Sequence, residues 1–98
     1  ESLYPGTKVR ANEIAEHFSH TRPDGTSCFT AFREAGIDYS SAGENIAAGY
    51  STPESVVEGW MNSTAHRANI LNPNFSTMGV GYAEGSGYGS YWVQVFIS

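Results

Sequence analysis

Cysteine and positive charge are scarce in this chain. Cys28 is the single cysteine among 98 residues, so the domain has no internal disulfide. Five Lys and Arg residues stand against ten Asp and Glu residues, a formal net charge of -5. Nucleic-acid binding depends on clustered cations that contact phosphates, so this charge balance argues against a nucleic-acid partner.

Long apolar runs are also missing. No stretch of about 18 apolar residues occurs, so the sequence predicts no membrane-spanning segment. Residues 1–6 have neither the basic nor the apolar part of a signal peptide, so any export signal is expected to have been removed already. Disorder is excluded, because 40% of the residues are hydrophobic and only 15% are charged. We therefore expect a single folded domain over residues 1–98.

Helical periodicity marks the first half of the chain. After an extended lead-in over residues 1–7, apolar residues recur on one helical face between residues 8 and 18. A second helix is predicted for residues 27–35, with Gly36 in the left-handed position that follows a helix end. Residues 38–51 are small and polar, and they predict a loop with a short extended piece.

The third helix has the clearest boundaries. Thr52 is a natural N-cap and Pro53 suits the first helical position, so the helix is predicted to run from there to about Ser63. Its predicted buried face consists of Val56, Val57, Trp60 and Met61. A short helical turn is predicted around residues 66–71.

The end of the chain alternates with a period of two. Met78, Val80 and Tyr82 alternate with small residues, and residues 91–97 alternate in the same way after the glycine-rich stretch 85–89. This pattern predicts an antiparallel hairpin. Helices followed by strands indicate an α+β fold.

Histidines and one isolated carboxylate are the candidate chemical groups. His20 lies beyond the first predicted helix, and His66 begins the short helical turn. Glu44 is the one acidic residue in the small, uncharged run 42–49, where it either serves a function or accepts hydrogen bonds from a tight loop. No nucleophile elbow or phosphate-binding loop is present. Cys28 lies on a predicted apolar stripe and is expected to be a buried, unreactive thiol.

Four motifs, in this order and spacing, resemble the bacterial branch of the CAP superfamily. This SCP-like superfamily comprises cysteine-rich secretory proteins, antigen 5 and plant pathogenesis-related proteins. The motifs are FSHTRPDG at 18–25, GENIAAG at 43–49, GWMNS and AHRANIL within 59–71, and MGVGY at 78–82. The resemblance spans about residues 9–96, nearly the whole chain.

The resemblance implies an α-β-α sandwich, in which a small antiparallel sheet lies between helices beside a cleft. In many members two His and two Glu line that cleft and can hold a divalent metal. His20, Glu44 and His66 match three of these positions, whereas Ser63 stands where the second glutamate is expected. The implied metal ligands are therefore His20, His66 and Glu44, for Zn²⁺ or another divalent cation, with weakened affinity because one carboxylate is missing.

A further departure concerns the start of the domain. Members of the superfamily usually carry another helix before the segment matching residues 8–18, and only seven residues precede that segment here. The resemblance therefore implies a domain that lacks the family's first helix, either as an N-terminally truncated fragment or with another molecule covering the exposed apolar surface. We expect self-association through that surface.

Three functions are open to the predicted cleft residues His20, Glu44, Asn45, Ser63 and His66. The first is a secreted or cell-envelope binding module for a small apolar or polymeric ligand, a lipid or a glycan, with an optional metal. The second is a metal-assisted hydrolase, in which Glu44 and His66 are the catalytic candidates. In the third, the side chains only tie segments together by hydrogen bonds. We favour binding over catalysis, because no nucleophile motif accompanies the cleft.

Overall fold

Four helices and three strands follow one another in an α+β order. The structure is a computed structural model that describes residues 3–98. The helices are α1 (Tyr4–Glu16), α2 (Thr30–Glu34), α3 (Pro53–Met61) and α4 (Thr64–Leu71). The strands are β1 (Ala42–Ala48), β2 (Thr77–Gly85) and β3 (Gly89–Ile97). Helices lie on both sides of the sheet, which confirms the α-β-α sandwich.

All three strands pair antiparallel in the order β1-β3-β2. The predicted hairpin is confirmed as β2 and β3, which pair from Thr77↔Ile97 to Gly85↔Gly89. The short extended piece predicted within residues 38–51 is the seven-residue strand Ala42–Ala48, which pairs with β3 along its whole length, so less of this segment is loop than predicted. Residues 43–47 are buried, so the strand lacks the polar alternation that reveals a half-exposed strand.

The inner face of the sheet, which we define as the side facing α1, is tightly sealed. A side chain at Gly79 would put its Cβ 2.5 Å from the Cβ of Leu3, and one at Gly81 would collide with the carbonyl oxygen of Thr7. The hydroxyl of Thr7 donates to the carbonyl of Val80 at 2.8 Å. The two glycines therefore let α1 lie directly on β2.

The outer face, on the opposite side, is covered unevenly. Val56 and Trp60 of α3 pack against Ala47 of β1, and the indole Nε1 of Trp60 donates to the carbonyl of Ile46 at 3.2 Å. On β2, by contrast, the outward side chains Met78, Val80 and Tyr82 remain 54%, 56% and 42% exposed. The helices α3 and α4 thus cover the β1 side and leave the β2 side open.

Several helix boundaries differ from those predicted. The extended lead-in over residues 1–7 was wrong from Tyr4 onward, since α1 begins there with a proline in its first turn, and residues 1–2 lie outside the described part. That helix ends at Glu16 rather than at residue 18. The second helix is only Thr30–Glu34, because the residues before it form turns.

The predicted helix ends at Gly36 and Thr52 are confirmed. Gly36 has φ +82°, and the N–H of the following Ile37 donates to the carbonyl of Phe32 at 2.9 Å. Thr52 caps α3 through a reciprocal pair of hydrogen bonds with Ser55. The predicted buried face of α3 was wrong for Val57, which is 42% exposed because no element packs over it.

Candidate functional site

Arg10 and Glu44 form a buried ion pair between α1 and β1. The side chain of Arg10 is fully buried, and that of Glu44 is 1% exposed. Arg10 Nε donates to Glu44 Oε2 at 2.7 Å, and Nη2 donates to Oε1 at 3.0 Å, so the contact is bidentate. Such a pair neutralises a carboxylate that burial would otherwise destabilise.

His20 reaches the same carboxylate from the loop after α1. Its Nδ1 lies 2.9 Å from Glu44 Oε1, while 58% of its side chain is exposed. A backbone bridge between Thr21 and Ser27 closes the loop that carries it. Because a carboxylate can only accept hydrogen bonds, His20 donates to Glu44 through Nδ1.

Two further acidic residues extend this cluster. Glu13 accepts a hydrogen bond from Arg10 Nη1 at 2.8 Å and another from Arg22 Nε at 2.9 Å. Arg22 Nη1 also donates to Glu34 at 3.1 Å. The carbonyl of Ser19 accepts the remaining proton of Arg10 Nη2 at 2.8 Å. The cluster therefore joins α1, the following loop, α2 and β1.

Burial and hydrogen bonding act on Glu44 in opposite directions. Burial by itself raises the pKa of a carboxyl group, but hydrogen bonds from His20 and Arg10 outweigh it, and the pKa of Glu44 lies below its usual value. Burial, together with the nearby Glu44 carboxylate, raises the pKa of the Cys28 thiol to about 12. At neutral pH Glu44 is therefore ionised, and Cys28 is the buried thiol that was predicted.

Ser63 and His66 lie at the start of α4. Nδ1 of His66 is 2.8 Å from the hydroxyl oxygen of Ser63, which is the N-cap residue of that helix. Burial, and secondarily the charge of His20, lowers the pKa of His66. The ring is thus neutral at pH 7. It is electrostatically coupled to His20, but its hydrogen-bond partner is Ser63 and not Glu44.

Asn45 faces the opposite side of the sheet from Glu44, since neighbouring residues of a strand point to opposite faces. It is fully buried, and its amide donates to the carbonyl of His66 and to Gln94, both at 3.1 Å. Its oxygen accepts from Asn69 at 2.9 Å. Asn45 thereby attaches α4 to the sheet, on the face opposite to that of the Glu44 side chain.

An open cleft of about 420 Å³ lies beside Ser63 and His66. We call it the aromatic cleft, because four of its lining residues are aromatic: Phe18, Tyr50, Trp60 and Tyr88. Tyr88 projects from the β2–β3 turn and is 71% exposed. Ser63 and His66 are the predicted site residues that line this cleft; His20 and Glu44 lie in the ion-pair cluster instead.

A second opening lies between α3 and the uncovered outward side chains of β2. This apolar groove has a volume of about 460 Å³ and is lined mainly by Tyr4, Val56, Val57, Val80, Tyr82 and Trp92. The rings of Tyr82 and Trp92 are 4.6 Å apart at its base. The exposed carboxylates of Glu54 and Glu58 line a neighbouring depression on α3 that shares Val57 with the groove.

Comparison with known families agrees with this arrangement of helices around a small antiparallel sheet. The model of the cysteine-rich secretory protein family, CAP, matches residues 1–96. The chain belongs to the CAP family. Within the described residues, no helix of this CAP domain is both long and apolar enough to cross a membrane.

Similar proteins come from several bacteria. The uncharacterized protein YkwD of Bacillus subtilis is 46% identical over 99% of this chain and 37% of its own length. A solved structure of an extracellular SCP-domain protein from Bacillus anthracis has a TM-score of 0.86 at 28% identity, over 99% of this chain and 32% of that one. An outer surface protein of Borrelia burgdorferi shares the fold, with a TM-score of 0.84 at 21% identity, over 98% and 72% of the two chains. This chain thus spans about a third of the Bacillus proteins.

The metal site that the family resemblance implies does not fit the Glu44 cluster. Both carboxylate oxygens of Glu44 already accept hydrogen bonds from Arg10, and one also accepts from His20. Among residues 3–98, no group of three or more His, Cys, Asp or Glu side chains is placed to hold a metal ion. Glu44 is therefore not available as a ligand in this arrangement, and binding by His20 and His66 stays a prediction.

Arg10 and Tyr50 were missed by sequence reasoning. Arg10 lies between Thr7 and Ile14 on the buried face of α1. A cation on a buried helix face needs an anionic partner, so its position indicated a buried carboxylate. The isolated carboxylate of Glu44 was the candidate for that partner. No local pattern identified Tyr50, because it shares a cleft with Tyr88 only when the β2–β3 turn approaches the segment after β1.

Proposed function

We propose that residues 1–98 act as one extracytoplasmic CAP domain that binds a polymeric glycan of the cell envelope in the aromatic cleft. The observation that carries this proposal is the combination of exposed aromatic rings with a hydrogen-bonding pair in one open cleft. Phe18 and Tyr88 are 49% and 71% exposed, and Ser63 and His66 lie at the same cleft. Sugar rings offer an apolar face for stacking and hydroxyl groups for hydrogen bonds, which suits such a lining.

The position of Tyr50 supports a preformed cleft. A side chain at Gly59 would collide with the Tyr50 ring, so the missing side chain lets that ring lie against α3. The indole of Trp60 is held by its hydrogen bond to Ile46 and forms the floor. Rings that are fixed before binding lose little conformational freedom when a ligand arrives.

An export route is part of the same proposal. Two of the similar solved structures are described as an extracellular protein and an outer surface protein. Fractionation of cells that make the complete natural protein tests it: we expect the protein in the medium or the envelope fraction. Recovery in the cytoplasmic fraction would contradict this location.

Ligand binding is testable with a soluble β-1,4-linked N-acetylglucosamine tetramer. We expect amide chemical-shift changes confined to the cleft residues, and a Tyr88→Ala variant with at least about fivefold weaker binding. Tyr82→Ala removes another exposed tyrosine ring, 42% against 71% exposed for Tyr88, from the apolar groove and serves as the control. Equal affinities for the two variants, or no shift changes with the tetramer, would refute the glycan proposal. Shift changes with decanoate alone would point to an apolar ligand.

A hydrolase is the second candidate, favoured by the 2.8 Å contact between Ser63 and His66. A hydroxyl beside an unprotonated imidazole is the minimal arrangement for nucleophilic attack. In the structure no carboxylate is hydrogen-bonded to His66 within residues 3–98, so the orienting third group of a triad is lacking. Ester cleavage by the parent protein that disappears in Ser63→Ala would favour this function, whereas equal background rates would exclude it.

We also propose that the apolar groove mediates self-association. Its exposed side chains include Val57, Val80 and Tyr82, and a contiguous apolar surface of this kind favours association in water. The carboxylates of the neighbouring depression on α3 oppose the approach of a second copy. The expected contact is therefore weak and strengthens as salt screens those charges.

A further inference from the structure

The guanidinium of Arg10 uses nearly all of its donors inside the cluster. Of its five N–H groups, Nε and one Nη2 proton bind Glu44, the other Nη2 proton binds the carbonyl of Ser19, and an Nη1 proton binds Glu13. The side chain is completely enclosed. It is therefore a fixed component of the site and not a mobile surface arginine.

The acceptors of Glu44 are correspondingly occupied. Oε1 accepts from Arg10 and from His20, at 3.0 and 2.9 Å, and Oε2 accepts from Arg10 at 2.7 Å. A metal ion at Glu44 would have to displace a bidentate arginine whose side chain is completely buried.

We infer that Arg10 is the resident cation of this CAP domain: its guanidinium takes the place beside Glu44 that a divalent metal would need, so the site is built without a metal. The positive charge is supplied permanently by the chain, and His20 keeps its orientation through Glu44 whether or not metal is present. This inference does not depend on glycan binding in the aromatic cleft.

Removal of the guanidinium should leave the Glu44 carboxylate able to bind another cation. In an Arg10→Ala variant the carboxylate of Glu44 loses its counter-ion, while the imidazole of His20 remains 2.9 Å from it. A carboxylate and an imidazole are ligand types that Co²⁺ and Zn²⁺ accept, and water can complete the coordination. We therefore expect the variant to gain a metal site that the parent protein does not have.

Co²⁺ alone is the probe, because its visible absorption reports ligand type and geometry. The parent protein and Glu44→Gln should bind Co²⁺ equally weakly, through exposed imidazoles. Arg10→Ala should bind it at least about tenfold more tightly, with its thermal midpoint raised by the metal. The double variant Arg10→Ala/Glu44→Gln should lose that gain. Tight binding by the parent protein that falls about tenfold or more in Glu44→Gln would overturn the inference.

A measurement on the unaltered protein covers the case in which Arg10→Ala does not fold. The Nε–H of Arg10 is buried and hydrogen-bonded, so its nitrogen-15-correlated NMR signal is expected to be resolved and slow to exchange with solvent. Excess Zn²⁺ should leave this signal unshifted, although ring signals of His20 or His17 can change. Displacement or loss of the Arg10 signal on addition of Zn²⁺ would refute the resident-cation inference.

Discussion

The two faces of the sheet differ in how completely the helices cover them. On the inner face, α1 lies on the glycines of β2 and encloses the Arg10–Glu44 pair. On the outer face, α3 and α4 cover β1, while the side chains of Met78, Val80 and Tyr82 on β2 stay exposed. Stability is therefore expected to depend on the close packing and the ion pair of the inner face. The outer face keeps exposed surface that other molecules can contact.

Polar groups show the same contrast. Within residues 3–98, every buried side-chain nitrogen and oxygen has a hydrogen-bond partner, so the charged cluster under the sheet is completely satisfied. The ring of His66, at the aromatic cleft, has one side-chain partner within residues 3–98, the hydroxyl of Ser63 at Nδ1. Saturated groups such as Glu44 hold the fold together, whereas groups with free bonding capacity are suited to meet a ligand.

The largest effect is expected from breaking the inner cluster. Arg10→Ala leaves the buried Glu44 without its counter-ion, which should lower the free energy of unfolding by about 3–5 kcal/mol in urea titrations. Lys8→Ala, an exposed cation on the same helix, is the matched control and should change it by less than about 0.5 kcal/mol. Similar losses in the two variants would mean that the inner cluster contributes no special stability.

A second substitution compares the two faces at adjacent positions of β2. Gly81→Ala places a methyl group against the backbone of Thr7, and forcing α1 away should cost about 1–3 kcal/mol of unfolding free energy. Val80→Ala removes apolar atoms from the exposed outer side, and we expect less than about 0.5 kcal/mol. Thermal denaturation of both variants measures which substitution costs more stability. A reversed order would contradict the description of β2.

Acid should weaken the inner face selectively. Because the folded-state pKa of Glu44 is depressed, its ionised form stabilises the fold above the usual carboxyl pKa of about 4.3, and this stability is lost as the pH falls through the depressed value. Urea midpoints of the parent protein and Glu44→Gln should therefore differ at pH 7 and converge toward pH 3. A constant difference across that range would show that ionisation of Glu44 is not what stabilises the cluster.

The smallest expected effect concerns the outer face and leaves the fold intact. The parent protein should self-associate weakly at high concentration, and more strongly in about 0.5 M than in about 0.05 M salt, because salt screens the carboxylates beside the apolar groove. Light scattering should show Val80→Asp to be monomeric under both conditions. A monomeric parent protein at both salt concentrations would remove the self-association proposal and leave the stability predictions untouched.

Features encoded by a few neighbouring residues were predictable. The capping of α3 by Thr52, the left-handed Gly36 and the β2–β3 hairpin all rest on contacts between residues close in sequence, and all are confirmed. Even there, the start of α1 at Tyr4 was missed, although Pro5 in the first turn is typical of a helix start.

Features made by distant contacts were not predictable from local pattern. Strand β1 is identified by its pairing with β3, some fifty residues later, because its buried residues show no alternation. The motif resemblance assigned His20 and Glu44 to one site, and their side chains are hydrogen-bonded in the structure. It did not reveal that Arg10 occupies both oxygens of Glu44, nor that Asn45 points to the other face.

By itself, the sequence determined the local elements and the chemical inventory: helix caps, the hairpin, a lone buried thiol and an acidic, cation-poor surface. The tertiary structure decided which charged side chains form ion pairs, because an ion pair depends on distance and burial and not on separation along the chain. Arg10 and Glu44 form a buried ion pair only because α1 packs on the sheet. Only the absence of a covering element over β2, within residues 3–98, leaves the outer face open.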